Sequence, residues 1–312
     1  MIWNLKSTSC LALLSLQCQL AFAVEIQRTL EPTEVTTPTE VTDHGMENYQ
    51  KLVNTKYALL PHKGTYLLPF VYNTMPHEEI YSNSAALLPT HSDARLYKNQ
   101  EAEFQISFLF PVENNILGTD FDLNVAYTHH AWWQIYNSEW SRPFRETNYT
   151  PEIFVRKVNY NVRKIFGFNF LGVDVGYVHQ SNGQIHILSR SWDRIFARVF
   201  LRNHDFVFLM TGWIRIPEAE DQNPDIVKYM GVGELEVYRS FGKHTLTAKV
   251  PLFSKNFSLD LKYSYPWKDR LRWFVSIQSG YGHSLIEHDV RTERYGAGII
   301  LDSFFNGSPQ AH

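Results

Sequence analysis

The sequence predicts an all-β fold, a twelve-stranded antiparallel transmembrane β-barrel, and three observations favour it. From about residue 65 onward, apolar and polar side chains alternate with a period of two. The alternating segments have the length of tilted strands that cross a bilayer, which need about 9 to 11 residues. After the N-terminal segment, no apolar run reaches the roughly 18 residues of a transmembrane helix. A chain with this pattern is expected to cross a membrane with strands.

Residues 1–23 have the features of a signal peptide. Lys6 supplies a short positive region, residues 10–20 are mostly apolar, and Ala21-Phe22-Ala23 is a small-x-small cleavage site. An uncleaved membrane anchor is the alternative, but polar residues interrupt the apolar stretch at Ser15, Gln17 and Gln19. The chain is therefore predicted to be exported.

Cleavage after Ala23 would leave no cysteine, because Cys10 and Cys18 both lie in the signal segment. Disulfides and thiolate sites are then excluded from the mature chain. The whole chain has 29 Lys and Arg and 32 Asp and Glu, and loss of Lys6 would leave 28 against 32. This acidic balance argues against a nucleic acid partner.

Residues 24–60 form a polar leader that we expect to be partly disordered. It contains two copies of Pro-Thr-Glu-Val, Pro32–Val35 and Pro38–Val41, and has too few apolar residues to form a core. No chemistry is assigned to it.

The barrel domain is predicted over residues 61–305, followed by a short tail, 306–312. In its second strand, for example, Phe104, Ile106 and Phe108 share one face while Glu103 and Gln105 share the other. The predicted strands lie near residues 65–74, 101–110, 120–133, 151–160, 168–181, 191–201, 205–215, 228–240, 243–251, 256–265, 269–281 and 292–305. Their number, about twelve, is even, as bacterial barrels require.

A soluble sandwich or a lipocalin-type barrel has the same alternation and is the alternative fold. The segments are long for soluble strands. The chain also contains 21 Phe, 17 Tyr and 8 Trp, many of them near segment ends, as in the aromatic girdles of membrane barrels. Both features favour the membrane barrel.

Three polar side chains occupy positions that should face lipid. In the segment 171–181, His179 and Ser181 continue the odd-numbered apolar face that contains Val175 and Tyr177. In the next segment Asp193 shares the face of Ile195, whereas Arg194 and Arg198 take the opposite one. His179, Ser181 and Asp193 therefore fall on the exterior of the predicted barrel.

These residue types suit acyl-ester hydrolysis. Such a reaction needs a hydroxyl nucleophile, an imidazole to accept its proton, and a third group that holds the imidazole tautomer. Residues two apart on a strand face lie about 6.5 to 7 Å from one another, and an antiparallel neighbour could bring Asp193 to His179. His-x-Ser is a weak motif. The spacing alone therefore also allows that these three residues have no catalytic role and lie where the strands leave the membrane.

Five ordered blocks strengthen the hydrolase interpretation, because the sequence resembles the outer membrane phospholipase A family in them. They are Pro143–Tyr149; Gly176-Tyr177 with His179, Ser181, Asn182 and Gly183; Ser189–Arg194; Asn223–Ile226 with Lys228–Gly231; and Ser279–Gly282 with Ser284–Ile286. The resemblance runs over most of residues 100–305. It implies a twelve-stranded barrel with its active site on the lipid-facing wall, where two barrels pair as a homodimer.

The resemblance also implies roles for individual residues. Ser181 would be the nucleophile, His179 the general base and Asp193 the orienting group, where the family usually has Asn. The backbone N–H of Gly183 would form the oxyanion hole together with a calcium-bound water. A carboxylate is compatible with the orienting role.

Calcium would be held, by the same resemblance, by Ser189, the carbonyl of Gln184, and Ser141 of the partner subunit. This chain has Gln184 where the family usually has Arg, and His186 and Gln222 where it has Asp. A main-chain carbonyl is independent of the side chain, so the site could persist. The loss of two carboxylates should weaken calcium binding.

Other candidate residues are weaker. The acidic run Glu218, Glu220, Asp221 and Asp225 reads as a solvated loop rather than a metal site. His129 and His130 should point to opposite faces of a strand, and the resemblance places His129 near the dimer surface. Pro143–Tyr149 is expected to form a structural turn.

The sequence thus predicts a calcium-dependent phospholipase A1 of the outer membrane that acts on glycerophospholipids, with A2 and lysophospholipase activity. Two rivals remain at this point: a non-enzymatic pore or structural barrel, and an acyltransferase or deacylase acting on lipid A. The sequence does not reveal the preference for sn-1 or sn-2 esters, or for a headgroup.

Overall fold

A closed antiparallel sheet is the framework of the molecule. The computed structural model describes residues 59–77, 97–268 and 270–301, with only the backbone of 160–163. Within these residues a two-residue strand, β1 (Leu60–Pro61), precedes twelve strands that pair in sequence order. They are β2 (Tyr66–Asn73), β3 (Gln100–Glu113), β4 (Asp122–Trp133), β5 (Phe144–Ile165), β6 (Phe168–Ser181), β7 (Ser191–Asn203), β8 (Phe206–Ile216), β9 (Gly233–Phe241), β10 (His244–Leu252), β11 (Leu259–Lys268), β12 (Leu271–Gly280) and β13 (Thr292–Leu301).

Pairing of the last strand with β2 closes the barrel. The register runs from Arg294 opposite Asn73 to Ile300 opposite Tyr66. β1 pairs with Leu109 and Phe108 of β3, farther along that strand than the residues paired with β2. In the described residues closure gives each of the strands β2 to β13 a neighbour on both sides, so the barrel itself has no free edge strand, as a lipid environment demands. The predicted all-β, twelve-stranded barrel is confirmed.

The wall of the barrel has reversed polarity compared with a soluble protein. Val175, Ile195 and Ile277 are 45 to 47% exposed on the outside. Charged residues fill the lumen: the buried Asp174 carboxylate accepts hydrogen bonds from Arg156 at 2.7 Å and Arg198 at 3.1 Å. Apolar side chains outside and paired charges inside are the arrangement of a transmembrane barrel.

The two ends of the barrel differ in their connections. Residues 166–167, 204–205 and 242–243 are two-residue turns at one end, whereas 134–143, 182–190 and 217–232 are longer connections at the other. Outer-membrane barrels have short turns on the periplasmic side and longer loops outside the cell. Ser181, the last residue of β6, therefore lies at the extracellular rim.

A short helix, α1 (Ile226–Met230), corrects one strand prediction. The expected strand 228–240 begins only at Gly233, because Ile226 packs with Trp192 and Leu285 in a buried cluster above the barrel. Two-residue alternation could not distinguish this short helical turn from a strand. Among the described residues, no helix is both long and apolar enough to cross a membrane.

The expected turn at Pro143–Tyr149 is also wrong, because Phe144–Tyr149 belongs to β5. Its inward side chains are polar for a reason: Glu146 and Asn148 accept hydrogen bonds from the backbone N–H groups of Ile286 and Leu285 at 2.9 and 3.2 Å. They tie the β12–β13 connection to the barrel wall. The apolar alternation is absent here because Thr147 occupies an outward position and Arg145 is buried next to the register shift at Phe144.

Three predicted segments lie outside the described residues. They are the signal peptide 1–23, the leader up to residue 58, and residues 302–312, which include the end of the last predicted strand and the tail.

Candidate active site

The strand pair β6–β7 brings His179 and Asp193 together. The register places His179 directly opposite Asp193 and Ser181 opposite Ser191. His179 Nδ1 and Asp193 Oδ1 are 2.7 Å apart, and both side chains are partly exposed on the barrel exterior. The carboxylate is thus positioned to accept a hydrogen bond from Nδ1–H and leave Nε2 as the basic nitrogen.

Tyr177 is a second donor to the same carboxylate. Its hydroxyl donates to Asp193 Oδ1 at 2.6 Å, and its ring is on the exterior face two residues before His179. Two donors converging on one oxygen fix the orientation of the carboxylate. From the sequence, Tyr177 was assigned to the apolar wall and to a family-like block without a role for its hydroxyl, although its shared face with His179 was a usable signal.

Ser181 lies on the same exterior face of β6 as His179 and, within the part of the chain that the structure describes, is not hydrogen-bonded to it. The separation follows from the strand, because residues i and i+2 lie about 6.5 to 7 Å apart along it. Such contacts are often long in enzymes without substrate and tighten in the complex.

The inward side of the two strands is rigidly packed behind this site. Gln180 Oε1 accepts hydrogen bonds from Trp192 Nε1 and Arg194 Nη2, each at 2.9 Å. The Trp192 side chain is completely buried, and the Arg194 guanidinium lies 3.7 Å from the centre of its ring. These contacts hold the β6–β7 register that aligns His179 with Asp193.

Asn182 organises the connection 182–190 that follows Ser181. Its side chain donates to the carbonyl of Leu188 at 2.8 Å and accepts from the N–H groups of Arg190 and Gln184 at 3.0 and 3.2 Å. Asn182 is almost fully buried. One amide side chain therefore fixes the loop next to the candidate nucleophile.

Gly183 has a backbone conformation that suits an oxyanion donor. Its φ is +65°, and a Cβ at this position would lie 3.0 Å from the Tyr149 ring. Both facts require glycine. Among the described residues, none accepts a hydrogen bond from the Gly183 N–H, so this donor is available two residues after Ser181.

The predicted calcium ligands are only partly brought together. Gln184 and Ser189 lie in the loop that Asn182 organises, and in the described part of the chain no donor bonds to the Gln184 carbonyl. Ser141 lies in the β4–β5 connection and is exposed. In the described residues no hydrogen bond links Ser141 to that loop, and its expected contribution to a partner subunit stays a prediction.

Glu218 is an acidic neighbour that the sequence analysis assigned to a solvated loop. Its Oε2 accepts a hydrogen bond from the Ser191 hydroxyl at 3.1 Å, and its Oε1 is buried without a hydrogen-bond partner. Ser191 is directly opposite Ser181. No cluster of three or more His, Cys, Asp or Glu ligands occurs among the described residues, so Glu218 is a single carboxylate beside the site.

The two adjacent histidines of β4 point in opposite directions, as expected. His130 faces the lumen and hydrogen-bonds Glu103 at 2.9 Å. His129 is on the exterior, where its ring contacts Tyr149 with a centroid distance of 5.0 Å. They cannot share a metal ion.

Comparison with known proteins places the chain in a family. A family model described as phospholipase A1 matches residues 43–301. The phospholipase A1 of Escherichia coli (strain K12) is 33% identical over 243 residues, 77% of this chain and 82% of that protein. The phospholipase A1 of Klebsiella pneumoniae is 34% identical over 253 residues, with 80% of this chain and 84% of that protein covered.

Solved structures agree with these relatives. The outer membrane phospholipase A from Escherichia coli is 32% identical and superposes with a TM-score of 0.72, covering 79% of this chain and 99% of that one. An outer membrane phospholipase of Salmonella typhi, described as a dimer with bound calcium, is 31% identical with a TM-score of 0.73, covering 82% and 97%. The chain therefore belongs to the phospholipase A1 family of outer-membrane β-barrel enzymes.

Proposed function

We propose that Ser181, His179 and Asp193 form the catalytic triad with which this enzyme hydrolyses acyl esters of glycerophospholipids. The observation that carries the proposal is the hydrogen bond between His179 Nδ1 and Asp193 Oδ1, 2.7 Å long, on the lipid-facing wall. A polar triad facing lipid has no structural value there and costs free energy. It is suited to a substrate that is itself part of the membrane.

The proposed reaction moves one proton through His179. Nε2 accepts the Ser181 hydroxyl proton as Oγ attacks the ester carbonyl, and donates it to the departing glycerol oxygen, leaving an acyl-enzyme. Water then repeats the cycle: it loses a proton to His179, attacks the acyl carbon and releases the fatty acid. Asp193 keeps the Nδ1–H in place and stabilises the imidazolium in both steps.

The Gly183 N–H is the donor we assign to the oxyanion. It is a backbone group fixed by the Asn182 hydrogen bonds, so no reorganisation is needed when negative charge develops on the carbonyl oxygen. Tyr177 is assigned a positioning role, because it contacts Asp193 and not the reacting atoms.

We infer that Ca²⁺ assists this reaction, held by the Gln184 carbonyl, Ser189 and Ser141 of the partner subunit. When bound, calcium would add positive charge beside the oxyanion. The oxygen donors present are of the kind that calcium prefers. The unpaired buried Oε1 of Glu218 adds negative charge near the site, although His186 and Gln222 have replaced carboxylates of the family pattern.

We further infer that the active form is a homodimer. A calcium site that takes one ligand from each subunit links metal binding to association, so calcium and acyl-chain analogues should both favour the dimer. Sedimentation in detergent measures this linkage. A monomer in the presence of both would contradict the shared site.

We also propose which ester positions the enzyme cleaves. Because the triad lies on an open exterior wall and not in an enclosed pocket, we expect it to accept sn-1 and sn-2 esters and lysophospholipids. Fatty acid release from phospholipid labelled at either position, with calcium and then with a chelator, tests the substrate and the metal together. Release that continues undiminished in chelator would contradict calcium dependence, and release confined to one position would contradict the broad specificity.

A further inference from the structure

A second cationic feature lies on the barrel exterior, at the opposite rim from the triad. Arg239 is on β9, two residues before the turn 242–243 that joins it to β10. It belongs to the outward-facing side of the strand, because its neighbour Tyr238 lines the interior cavity of about 230 Å³. Arg239 is exposed. A guanidinium therefore projects from the wall at the periplasmic end.

Two aromatic rings flank this guanidinium. The Arg239 Cζ lies 5.1 Å from the ring centre of Phe206 and 5.7 Å from that of Phe241. In the described residues, no carboxylate forms an ion pair with Arg239. Asp205, in the adjoining turn, accepts a hydrogen bond from the Ser240 N–H of β9 through its backbone carbonyl, at 3.2 Å.

Further aromatic, cationic and apolar side chains follow along this rim of the barrel. The His244 ring stacks on Phe241 with a centroid distance of 5.3 Å, and its Nδ1 is 2.6 Å from the Tyr263 hydroxyl. Lys243 is exposed in the turn. Leu246, directly opposite Arg239 on β10, is 40% exposed and provides apolar wall toward the membrane centre.

The position of Arg239 along the bilayer normal determines which lipid group its guanidinium can bind. An arginine facing lipid costs several kcal/mol at the bilayer midplane and about 0 to 1 kcal/mol near the interface. Two residues from the strand end is about 6.6 Å along the strand, within the zone of the aromatic girdle. At this level the group available to an unpaired guanidinium is the phosphate of a lipid headgroup.

We propose that Arg239, with Phe206, Phe241 and Lys243 around it, is a binding site for the phosphate of an anionic glycerophospholipid in the periplasm-facing leaflet. Two parallel N–H groups of the guanidinium bind two phosphate oxygens. The aromatic rings and Leu246 contact the glycerol and the first part of the acyl chains. This site is on β8–β10, whereas the triad is on β6–β7, so the lipid is a ligand here and not a substrate.

Binding of a non-hydrolysable lipid tests the proposal independently of catalysis. The folded protein in detergent is titrated with dialkyl-ether phosphatidylglycerol, and bound lipid is counted by native mass spectrometry. Arg239→Gln should weaken the tightest binding event about tenfold, the effect of losing a charge-assisted hydrogen-bond pair. Arg239→Lys should weaken it less. The matched control is Arg291→Gln, which removes an exposed arginine paired with Glu293 at the other rim.

Two further titrations identify the chemistry. Dialkylglycerol, which has no phosphate, should not compete, and neither should inorganic phosphate, which has no chains. Equal binding by wild type and Arg239→Gln would overturn the proposal, as would equal binding of dialkylglycerol. Displacement by inorganic phosphate alone would show an anion site without lipid selectivity and would also overturn it. Since ether lipids are not cleaved, none of these outcomes depends on the proposed triad.

Discussion

The Tyr177 hydroxyl and His179 Nδ1 contact the same oxygen of Asp193, at 2.6 and 2.7 Å. Tyr177 and His179 are two residues apart on one face of β6, and Asp193 comes from β7 directly opposite His179. The barrel wall itself therefore holds the Asp193 carboxylate between two hydrogen-bond donors. No loop has to close to assemble this part of the site.

This relationship predicts a specific effect of Tyr177→Phe. Loss of one donor leaves more negative charge on Asp193, which favours the imidazolium form of His179. The acid limb of the pH–rate profile should move to higher pH, with kcat at the optimum reduced about three- to tenfold through loss of one hydrogen bond. An unshifted limb would show that the tyrosine has no influence on the base. Tyr263→Phe is the matched control, because Tyr263 is an exterior tyrosine whose hydroxyl hydrogen-bonds His244, away from Asp193.

Ser181→Ala tests the nucleophile. The substitution should abolish fatty acid release while the barrel still folds and inserts, because Ser181 is the last residue of β6 and its backbone pairing with β5 and β7 does not depend on the hydroxyl. Activity is measured by fatty acid release and folding by the heat-modifiable mobility of the barrel in gel electrophoresis. Ser191→Ala, the residue opposite on β7, is the control and should retain turnover. If Ser181→Ala keeps more than a small fraction of activity, another residue is the nucleophile.

The alternation of the barrel strands could be predicted from sequence, because successive residues face lipid and lumen in turn. The lipid side requires apolar side chains and the lumen side requires polar ones. The outward positions of His179, Ser181 and Asp193 follow from that parity alone. The helix Ile226–Met230 could not be predicted in this way, since it is only five residues long and is fixed by packing of Ile226 on distant residues. Tyr177 was missed because an aromatic residue at that position satisfies the wall pattern without its hydroxyl.

The lumen ion pairs predict a large stability effect for Asp174→Asn. Asp174 is fully buried and accepts hydrogen bonds from Arg156 and Arg198, so removing its charge takes one carboxylate away from two buried guanidinium groups, of which Arg198 keeps its pairing with Glu152. The free energy of unfolding should fall by about 3 kcal/mol, as expected for one side of a buried ion pair. Urea unfolding of the folded barrel measures it. Asp205→Asn, in an exposed turn, should change the unfolding free energy by less than about 0.5 kcal/mol, and equal effects would rule out the pairing as the cause.

Glu218 should influence calcium affinity. The affinity of a calcium site rises with the number of negative charges around the ion. The buried Oε1 of Glu218 has no hydrogen-bond partner among the described residues. Glu218→Gln should therefore raise the calcium concentration for half-maximal activity severalfold without changing the rate at saturation. Glu220→Gln, an exposed residue of the same connection, is the control. Identical calcium curves for both variants would exclude a role for Glu218 in binding the ion.

Asp193→Asn tests the departure of this chain from the family pattern at the orienting position. An ionised carboxylate stabilises the protonated imidazole of His179 more strongly than a neutral amide does, and the general base must be unprotonated to act. The acid limb of the pH–rate profile should therefore move to lower pH in Asp193→Asn. Activity should remain substantial, because the amide oxygen can take the place of Oδ1 and still accept from both Tyr177 and His179.

Asp193→Ala removes the orienting group and should lower kcat by about 10²-fold or more, since the ring would lose the contact that sets its tautomer. Fatty acid release measured from acid to neutral pH distinguishes the two variants. An acid limb that stays in place in Asp193→Asn would mean that Asp193 is not ionised beside His179 in the working range. Full activity of Asp193→Ala would make Asp193 a rim residue and would remove the third member of the triad. A shifted limb with Asn and a collapsed rate with Ala can be produced only if the carboxylate acts on the imidazole both by its charge and by its position.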